Sequence, residues 1–124
     1  MKAKAIVREF LNLKLSGRTA RLPFWCVMIT VGAVNLGLAR GLEGINRTGI
    51  APEAALAACV LALAAAAVLT WLLIAVSARR FHDFGRSAWC VPLLFIPIVS
   101  ILALIWAGCS RGDSGENAWG APPA

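Results

Sequence analysis

The stretch SARRFHDFGRSAW, residues 77–89, concentrates polar chemistry in an otherwise apolar chain. Its eight consecutive residues 79–86 include three arginines, one histidine and one aspartate: Arg79, Arg80, His82, Asp83 and Arg86. The chain as a whole is 60% hydrophobic, with a mean hydropathy of +0.77. Soluble domains are nearer half apolar. Because long apolar segments lie on both sides of the stretch, we interpret it as a polar turn between membrane-embedded segments.

Three uncharged segments of membrane-crossing length surround this turn. They cover residues 22–39, 54–78 and 88–109 and are 18, 25 and 22 residues long. A helix needs about 20 apolar residues to cross the hydrocarbon core, with a range of roughly 17–25. In lipid the backbone must satisfy its own hydrogen bonds, which favours helices. The sequence therefore predicts an all-α integral membrane protein with three transmembrane helices, at about 22–39, 54–78 and 88–109.

The third segment admits two interpretations, because Pro97 stands at its centre. Proline breaks the helical hydrogen-bond ladder. The segment is then either a kinked span or a re-entrant hairpin that returns the tail to the side it came from. We favour the kinked span, since 22 residues are too few for two full crossings.

The two ends of the chain differ in character. Residues 1–16 place apolar side chains at helical spacing opposite most of the charges, which predicts an amphipathic helix lying on the membrane surface. Residues 110–124 are rich in glycine and proline, which predicts a flexible tail. At 124 residues the whole chain, 1–124, is expected to be one domain.

Lysine and arginine predict the orientation in the membrane. Six precede residue 22, two lie in residues 40–53, three in residues 79–87 and one in the tail. Positive residues favour the cytoplasmic side. The alternation predicts a cytoplasmic N-terminus, a cytoplasmic turn and, with three full spans, a periplasmic or external C-terminus.

Small residues recur every four positions on two of the predicted spans. Such faces allow close approach of helices in lipid. The first comprises Ala33, Gly37 and Gly41, and the second Ala54, Ala58, Ala62 and Ala66. They predict packing within one chain or, alternatively, contacts in a homo-oligomer.

The polar turn also has two interpretations. In the structural one, Asp83 pairs with Arg79 or Arg80, Gly85 permits a tight turn and Ser87 caps the next helix. In the functional one, the arginine forks bind phosphate or a lipid headgroup beside His82. The candidate residues for binding lipid, phosphate or a partner are Arg18, Arg21, Arg79, Arg80, His82, Asp83 and Arg86.

Catalytic and cofactor chemistry has little support in the sequence. There is no nucleophile motif or phosphate loop, and the four cysteines lack metal-type spacing. We therefore predict no catalytic residue, no metal and no cofactor. The apolar segments argue against nucleic acid as the partner of the basic residues. The predicted spans hold no charged residue, which argues against a coupled transporter.

Three motifs resemble those of the bacterial inner-membrane proteins grouped as domain of unknown function 805 (DUF805). GRTARLPFW, residues 17–25, is similar to the family's GRxxRxxFW; RRFHDFGRSAWC, residues 79–90, to RRLHDxGRSxWW; and GDSGENAWGAPP, residues 112–123, to GxxGxNxxGxxP. Besides the candidates above, the resemblance marks as structural positions Gly17, Phe24, Trp25, Gly85, Ser87, Trp89, Asn117 and Gly120. It implies an inner-membrane location and no known activity, and for the tail it implies, as the alternative to a flexible end, a defined turn that docks on something.

The function expected from these features is a membrane scaffold or interaction protein. Arg18, Arg21 and the turn would form a basic rim around His82 and Asp83 that contacts anionic lipid or a partner. The alternatives are an oligomeric small transporter or channel and an enzyme acting on phosphorylated lipid.

Overall fold

The protein, described here by a computed structural model, is helical. The structure describes residues 2–123, with the side chains of Lys2, Ala5, Glu9, Phe10 and Asn46 excluded; Met1 and Ala124, the ends of the predicted surface helix and tail, lie outside this range. Four α-helices are present in it: α1 (Lys2–Leu11), α2 (Arg21–Arg47), α3 (Pro52–Asp83) and α4 (Val99–Cys109). A 3₁₀ helix, Ala88–Phe95, lies between α3 and α4.

The first two predicted spans are confirmed as helices long and apolar enough to cross a membrane. With 27 and 32 residues, α2 and α3 are about 40 and 48 Å long, which exceeds the hydrocarbon core of roughly 30 Å. Large apolar side chains such as Leu36, Leu61 and Leu63 point outward and are 59–71% exposed. So extensive an apolar surface is typical of helices that face lipid.

The third predicted span, 88–109, is wrong as a single helix. The 3₁₀ helix ends at Phe95, and α4 begins at Val99 after a sharp turn. The turn is a γ-turn: Ile98 has φ 69° and ψ −54°, and the N–H of Val99 donates to the carbonyl of Pro97 at 2.8 Å. The cause is Pro97, which has no N–H to continue the helical ladder.

The two legs of this segment form a hairpin. Eight residues of 3₁₀ helix rise about 16 Å, and the eleven residues of α4 also rise about 16 Å. Each leg therefore reaches about half-way across a hydrocarbon core of roughly 30 Å. The first leg starts five residues after α3, and the second ends at Ser110, whose carbonyl accepts a hydrogen bond from Arg80 near the end of α3. The chain thus returns to the end of the molecule that it left.

Replacing Ile98 by glycine is expected to stabilise the protein. A β-branched residue at positive φ is strained by about 1–3 kcal/mol, and glycine adopts this conformation freely at some cost in unfolded-chain entropy. We expect the free energy of unfolding, measured by thermal unfolding in detergent, to rise by about 1 kcal/mol. Ile96→Gly is the matched control, because Ile96 has an extended backbone at φ −92°. It should lower stability; equal losses in the two variants would contradict the strained turn.

Two smaller predictions also need correction. The predicted surface helix, residues 1–16, ends at Leu11, because the carbonyls of Asn12 and Lys14 accept hydrogen bonds from Arg79 instead of continuing the helix. The tail is not a flexible end: it docks onto Arg18 and Asp83. The tail therefore lies at the same end of the molecule as the polar turn and Arg18; the side of the membrane on which it lies stays a prediction.

The core of the protein lies at this same end. Phe24, Val27, Val76, Phe81 and Ala107 are fully buried and join α2, α3 and α4. Farther along, α2 and α3 leave a groove of about 510 Å³ between them. Members of both small-residue faces, Gly37, Gly41, Ala58 and Ala62, line this groove. Contacts with a second copy stay a prediction.

Candidate functional site

Five polar residues are buried together where α3 ends. We call Arg18, Arg79, Arg80, His82 and Asp83 the charged cluster; each is between 0 and 8% exposed. Gly85, at φ 73°, ends α3 in a Schellman motif. In it the N–H of Arg86 donates to the carbonyl of Phe81 at 2.9 Å and that of Gly85 to His82 at 3.2 Å. The predicted tight turn is therefore confirmed, and it follows directly on the cluster.

Arg18 connects the cluster to the tail. Its Nε donates to Asp83 Oδ1 at 3.1 Å, and its Nη2 donates to the backbone carbonyls of Asp83 and Asp113. Its Nη1 donates to the carbonyls of Gly115, at 2.7 Å, and Gly120, at 3.2 Å. A guanidinium group has five N–H donors, so every donor of Arg18 has a protein acceptor.

Asp83 is the anion of the cluster. Its carboxylate pairs with Arg18 at 3.0 Å and with Arg80, three residues earlier on α3. Its backbone carbonyl accepts from the N–H of Asp113 at 2.7 Å. The tail passes so close at Gly112 that a Cβ there would lie 2.2 Å from Asp83 Oδ2. Only glycine fits at that position without a shift of the tail or of Asp83.

Arg79 holds the segment that precedes α2. Its Nη1 donates to the carbonyl of Asn12 at 2.8 Å and to that of Lys14, while its Nε donates to Thr19 Oγ1 at 3.2 Å. The N–H of Thr19 in turn donates to the carbonyl of Arg79 at 3.2 Å. Residues 12–19 are thus fixed against α3 by the side chain and the backbone carbonyl of Arg79, together with hydrogen bonds from the side chains of Trp71, Arg80 and His82.

Arg80 holds the returning hairpin. Its Nε donates to the carbonyl of Ala107 at 2.7 Å and its Nη2 to that of Ser110, at the carboxyl end of α4. Arg21 adds a bond from Nε to Ser110 at 2.9 Å. The last carbonyls of a helix lack partners within it, and cations near them are favourable. Arg80 and Arg21 therefore cap α4.

His82 and the tail pack face to face. The imidazole stacks on the Trp119 indole, with ring centroids 4.6 Å apart and an interplanar angle of 8°. Asn117 Nδ2 donates to the carbonyl of His82 at 2.9 Å, and Asn117 forms an isolated β-bridge with Gly120. The tail pattern therefore encodes a tight loop that closes over the end of α3.

The remaining predicted residues surround the cluster. Arg21 and Arg86 are exposed, and Arg86 lies over the Trp106 ring at 5.8 Å. Ser87 caps the 3₁₀ helix by accepting from the N–H of Trp89, which is 87% exposed. The others have packing roles. Phe24 is buried in the core, Trp25 packs so closely that a Cβ at Gly108 would lie 2.1 Å from its ring, and Gly17 takes φ 99°.

Sequence reasoning did not single out four residues of this site: Thr19, Gly112, Asp113 and Trp119. The quoted motifs contain all four. However, Gly112 acts by having no side chain, and Asp113 acts through its backbone N–H and carbonyl. Within residues 2–123, no three His, Cys, Asp or Glu side chains lie close enough to hold a metal ion. The prediction that the cluster binds phosphate or a headgroup stays a prediction.

Comparison with known sequences identifies the family. The sequence model described as "Protein of unknown function (DUF805)" matches residues 12–121, which include nearly all of the three motifs that meet at the charged cluster. The chain belongs to the DUF805 family. The tight contacts among these motifs give the signature positions of DUF805 a structural reason in this chain.

Two inner membrane proteins of Escherichia coli strain K12 are similar to this DUF805 protein. YhaH is 45% identical over 49 residues, and YhaI is 41% identical over 51 residues. Each match covers 40% of this chain, and 40% and 42% of the two relatives. The aligned part thus spans about two fifths of either relative's length. No solved structure matches the chain.

Proposed function

We propose that this DUF805 protein is a non-catalytic scaffold of the bacterial inner membrane whose charged end contacts anionic lipid or a partner. The observation that supports the proposal is that the cations at that end fall into two sets, one buried and one exposed. The arginines of the charged cluster are buried and directed at protein acceptors. A second set of cations is exposed. The buried set stabilises the fold, which leaves the exposed set for contact.

The exposed cations at the charged end form what we call the basic surface: Lys4, Arg8, Lys14, Arg21, Arg86 and Arg111. Each belongs to a segment that leads into or out of the charged cluster. Juxtamembrane Lys and Arg attract anionic lipid by about 1 kcal/mol each near the surface. Lipid contact is therefore assigned here to the basic surface, which shares only Arg21 and Arg86 with the rim expected from the sequence.

The distribution of charge supports a cytoplasmic location for this end. Ten of the twelve Lys and Arg residues lie in residues 1–21, 79–87 and 110–124, and the other two, Arg40 and Arg47, lie toward the far end of α2. Positive residues favour the cytoplasmic side. We propose that both termini are cytoplasmic, in an inner membrane like that named for YhaH and YhaI.

Removing two cations from the basic surface should reduce the retention of anionic lipid. The double variant Arg21→Gln, Arg86→Gln should retain several-fold less phosphatidylglycerol than the wild type, because each cation contributes about 1 kcal/mol. Native mass spectrometry of protein released from mixed vesicles measures the bound lipid. The matched control is Arg40→Gln, Arg47→Gln, two exposed arginines distant from the cluster. Equal retention in both double variants would refute the basic surface, provided that thermal unfolding shows both to be folded.

A further inference from the structure

A cleft of about 610 Å³ lies between α3, the 3₁₀ helix and the tail. His82 and Trp119 line it at the charged end of the molecule, and Ile74 and Phe95 line it farther away. Ile74 precedes His82 by eight residues on α3, which is about 12 Å along the helix axis. The cleft therefore extends from the level of the charged cluster toward the hydrocarbon core of the membrane.

The polar end of the cleft presents a hydrogen-bond acceptor. His82 Nδ1 lies 3.2 Å from the carbonyl oxygen of Gly17. A carbonyl only accepts, so Nδ1 carries the hydrogen, and in the neutral ring Nε2 is the acceptor. No group in the described part of the chain hydrogen-bonds to Nε2. Trp119, stacked on the ring, holds its orientation.

The cleft also presents a hydrogen-bond donor. Ser87 also lines the cleft, and its Oγ accepts from the N–H of Trp89 at 3.3 Å, which leaves the hydroxyl hydrogen to be donated. The residues that line the cleft include no lysine, arginine, aspartate or glutamate. A ligand here meets one acceptor, one donor and an apolar wall, without a fixed charge.

A second polar group lies deeper. Ser77 is fully buried, and its Oγ is the one buried side-chain nitrogen or oxygen in the described residues without a hydrogen-bond partner. It lines an inner cavity of about 140 Å³ that shares Ile74, Val91 and Phe95 with the cleft. Burying a hydroxyl without a partner costs free energy. A ligand that brings an acceptor oxygen to this depth would satisfy it.

We propose that the cleft binds one phospholipid whose headgroup carries a primary ammonium group. The ammonium N–H donates to His82 Nε2, phosphate or ester oxygens accept from Ser87 and Ser77, and an acyl chain follows Val91 and Phe95. A quaternary ammonium headgroup has the same charge but no N–H to donate. The proposal rests on the membrane embedding proposed above and does not require the contact of the basic surface with anionic lipid.

The test compares phosphatidylethanolamine with phosphatidylcholine. The full chain is reconstituted in vesicles that contain equal amounts of both and a constant fraction of phosphatidylglycerol, and bound lipid is read by native mass spectrometry. We expect about a tenfold preference for phosphatidylethanolamine, as one charge-assisted hydrogen bond provides. Absence of a preference overturns the proposal. If the wild-type protein prefers phosphatidylethanolamine but retains no phosphatidylglycerol, the basic surface is contradicted and the cleft proposal is not. The two failures are therefore distinguishable.

Two variants and one control locate the preference. His82→Phe keeps a ring for stacking on Trp119 but removes the acceptor, so the preference should fall to about one. Ala88→Trp fills the cleft and should remove the bound lipid; it decides the case if His82→Phe does not fold. Leu61→Trp, in the groove between α2 and α3, should keep the tenfold preference. A preference retained in Ala88→Trp, or in a folded His82→Phe, overturns the proposal.

Discussion

Asp83→Asn is expected to destabilise the protein by about 3–5 kcal/mol, the largest effect of any single substitution proposed here. The carboxylate is 5% exposed and pairs with Arg18 and Arg80. Asparagine keeps the size of the side chain but replaces one accepting oxygen by an N–H₂ group that faces a guanidinium donor. Two buried cations then lose their counter-charge. Thermal unfolding in detergent should show a midpoint lower by about 10 °C or more, or the variant should fail to accumulate.

The matched control is Asp113→Asn. Asp113 is exposed, and its Oδ2 accepts from Asn117 at 2.9 Å. Its contacts to Asp83 and Arg18 use backbone atoms, which the substitution leaves intact. We expect a change below about 1 kcal/mol. Comparable losses in the two variants would show that Asp83 is not the centre of the cluster.

Gly112→Ala is expected to release the tail from the charged cluster. The new methyl group would lie 2.2 Å from Asp83 Oδ2 and 2.7 Å from its Cγ. Because Arg18 and Arg80 hold the Asp83 carboxylate in place, we expect the tail to move, which takes the carbonyls of Asp113 and Gly115 away from Arg18 and leaves its buried donors unpaired. The expected cost is about 2–4 kcal/mol. Limited proteolysis should cleave the tail of the variant several-fold faster than that of the wild type.

Gly115→Ala is the corresponding control. A Cβ at Gly115 would meet no atom within 4 Å, and its backbone is not at positive φ. The same substitution, three residues along the same tail, should therefore leave proteolysis and thermal unfolding almost unchanged. Fast cleavage in both variants would indicate a tail that is mobile whatever its contacts, and would contradict the docked loop.

The sequence predicted α2 and α3 because lipid imposes a simple rule on them. A membrane-crossing helix must be long, apolar and uncharged, and residues 22–39 and 54–78 meet each condition. The third segment meets the same conditions but contains Pro97. Hydropathy does not distinguish a kink from a turn, because both leave the same side chains in lipid. The γ-turn at Ile98 depends on backbone angles that composition does not encode.

The charged cluster was located from the sequence, and its Asp83–Arg80 ion pair was predicted, but most of its other contacts were not. The density of arginines around His82 and Asp83 identified the place. The acceptors are mostly backbone carbonyls, such as those of Ala107 and Gly120, and every residue type supplies one. The glycines of the tail likewise carry no side chain that would reveal a contact, so they were interpreted as a source of flexibility. Gly112 instead allows a close approach to Asp83.

The central claim is that the hairpin returns the tail to the side of the membrane where the N-terminal segment lies. Single cysteines at Ser16, Ser114 and Thr48, each exposed, test it directly. Cys26, Cys59, Cys90 and Cys109 are first replaced by alanine. A membrane-impermeant maleimide is then applied separately to right-side-out and to inside-out membrane vesicles. We expect the cysteines at positions 16 and 114 to react from one side and that at position 48 from the other. If position 114 instead reacts together with position 48, the chain crosses the membrane three times and the docked tail is refuted.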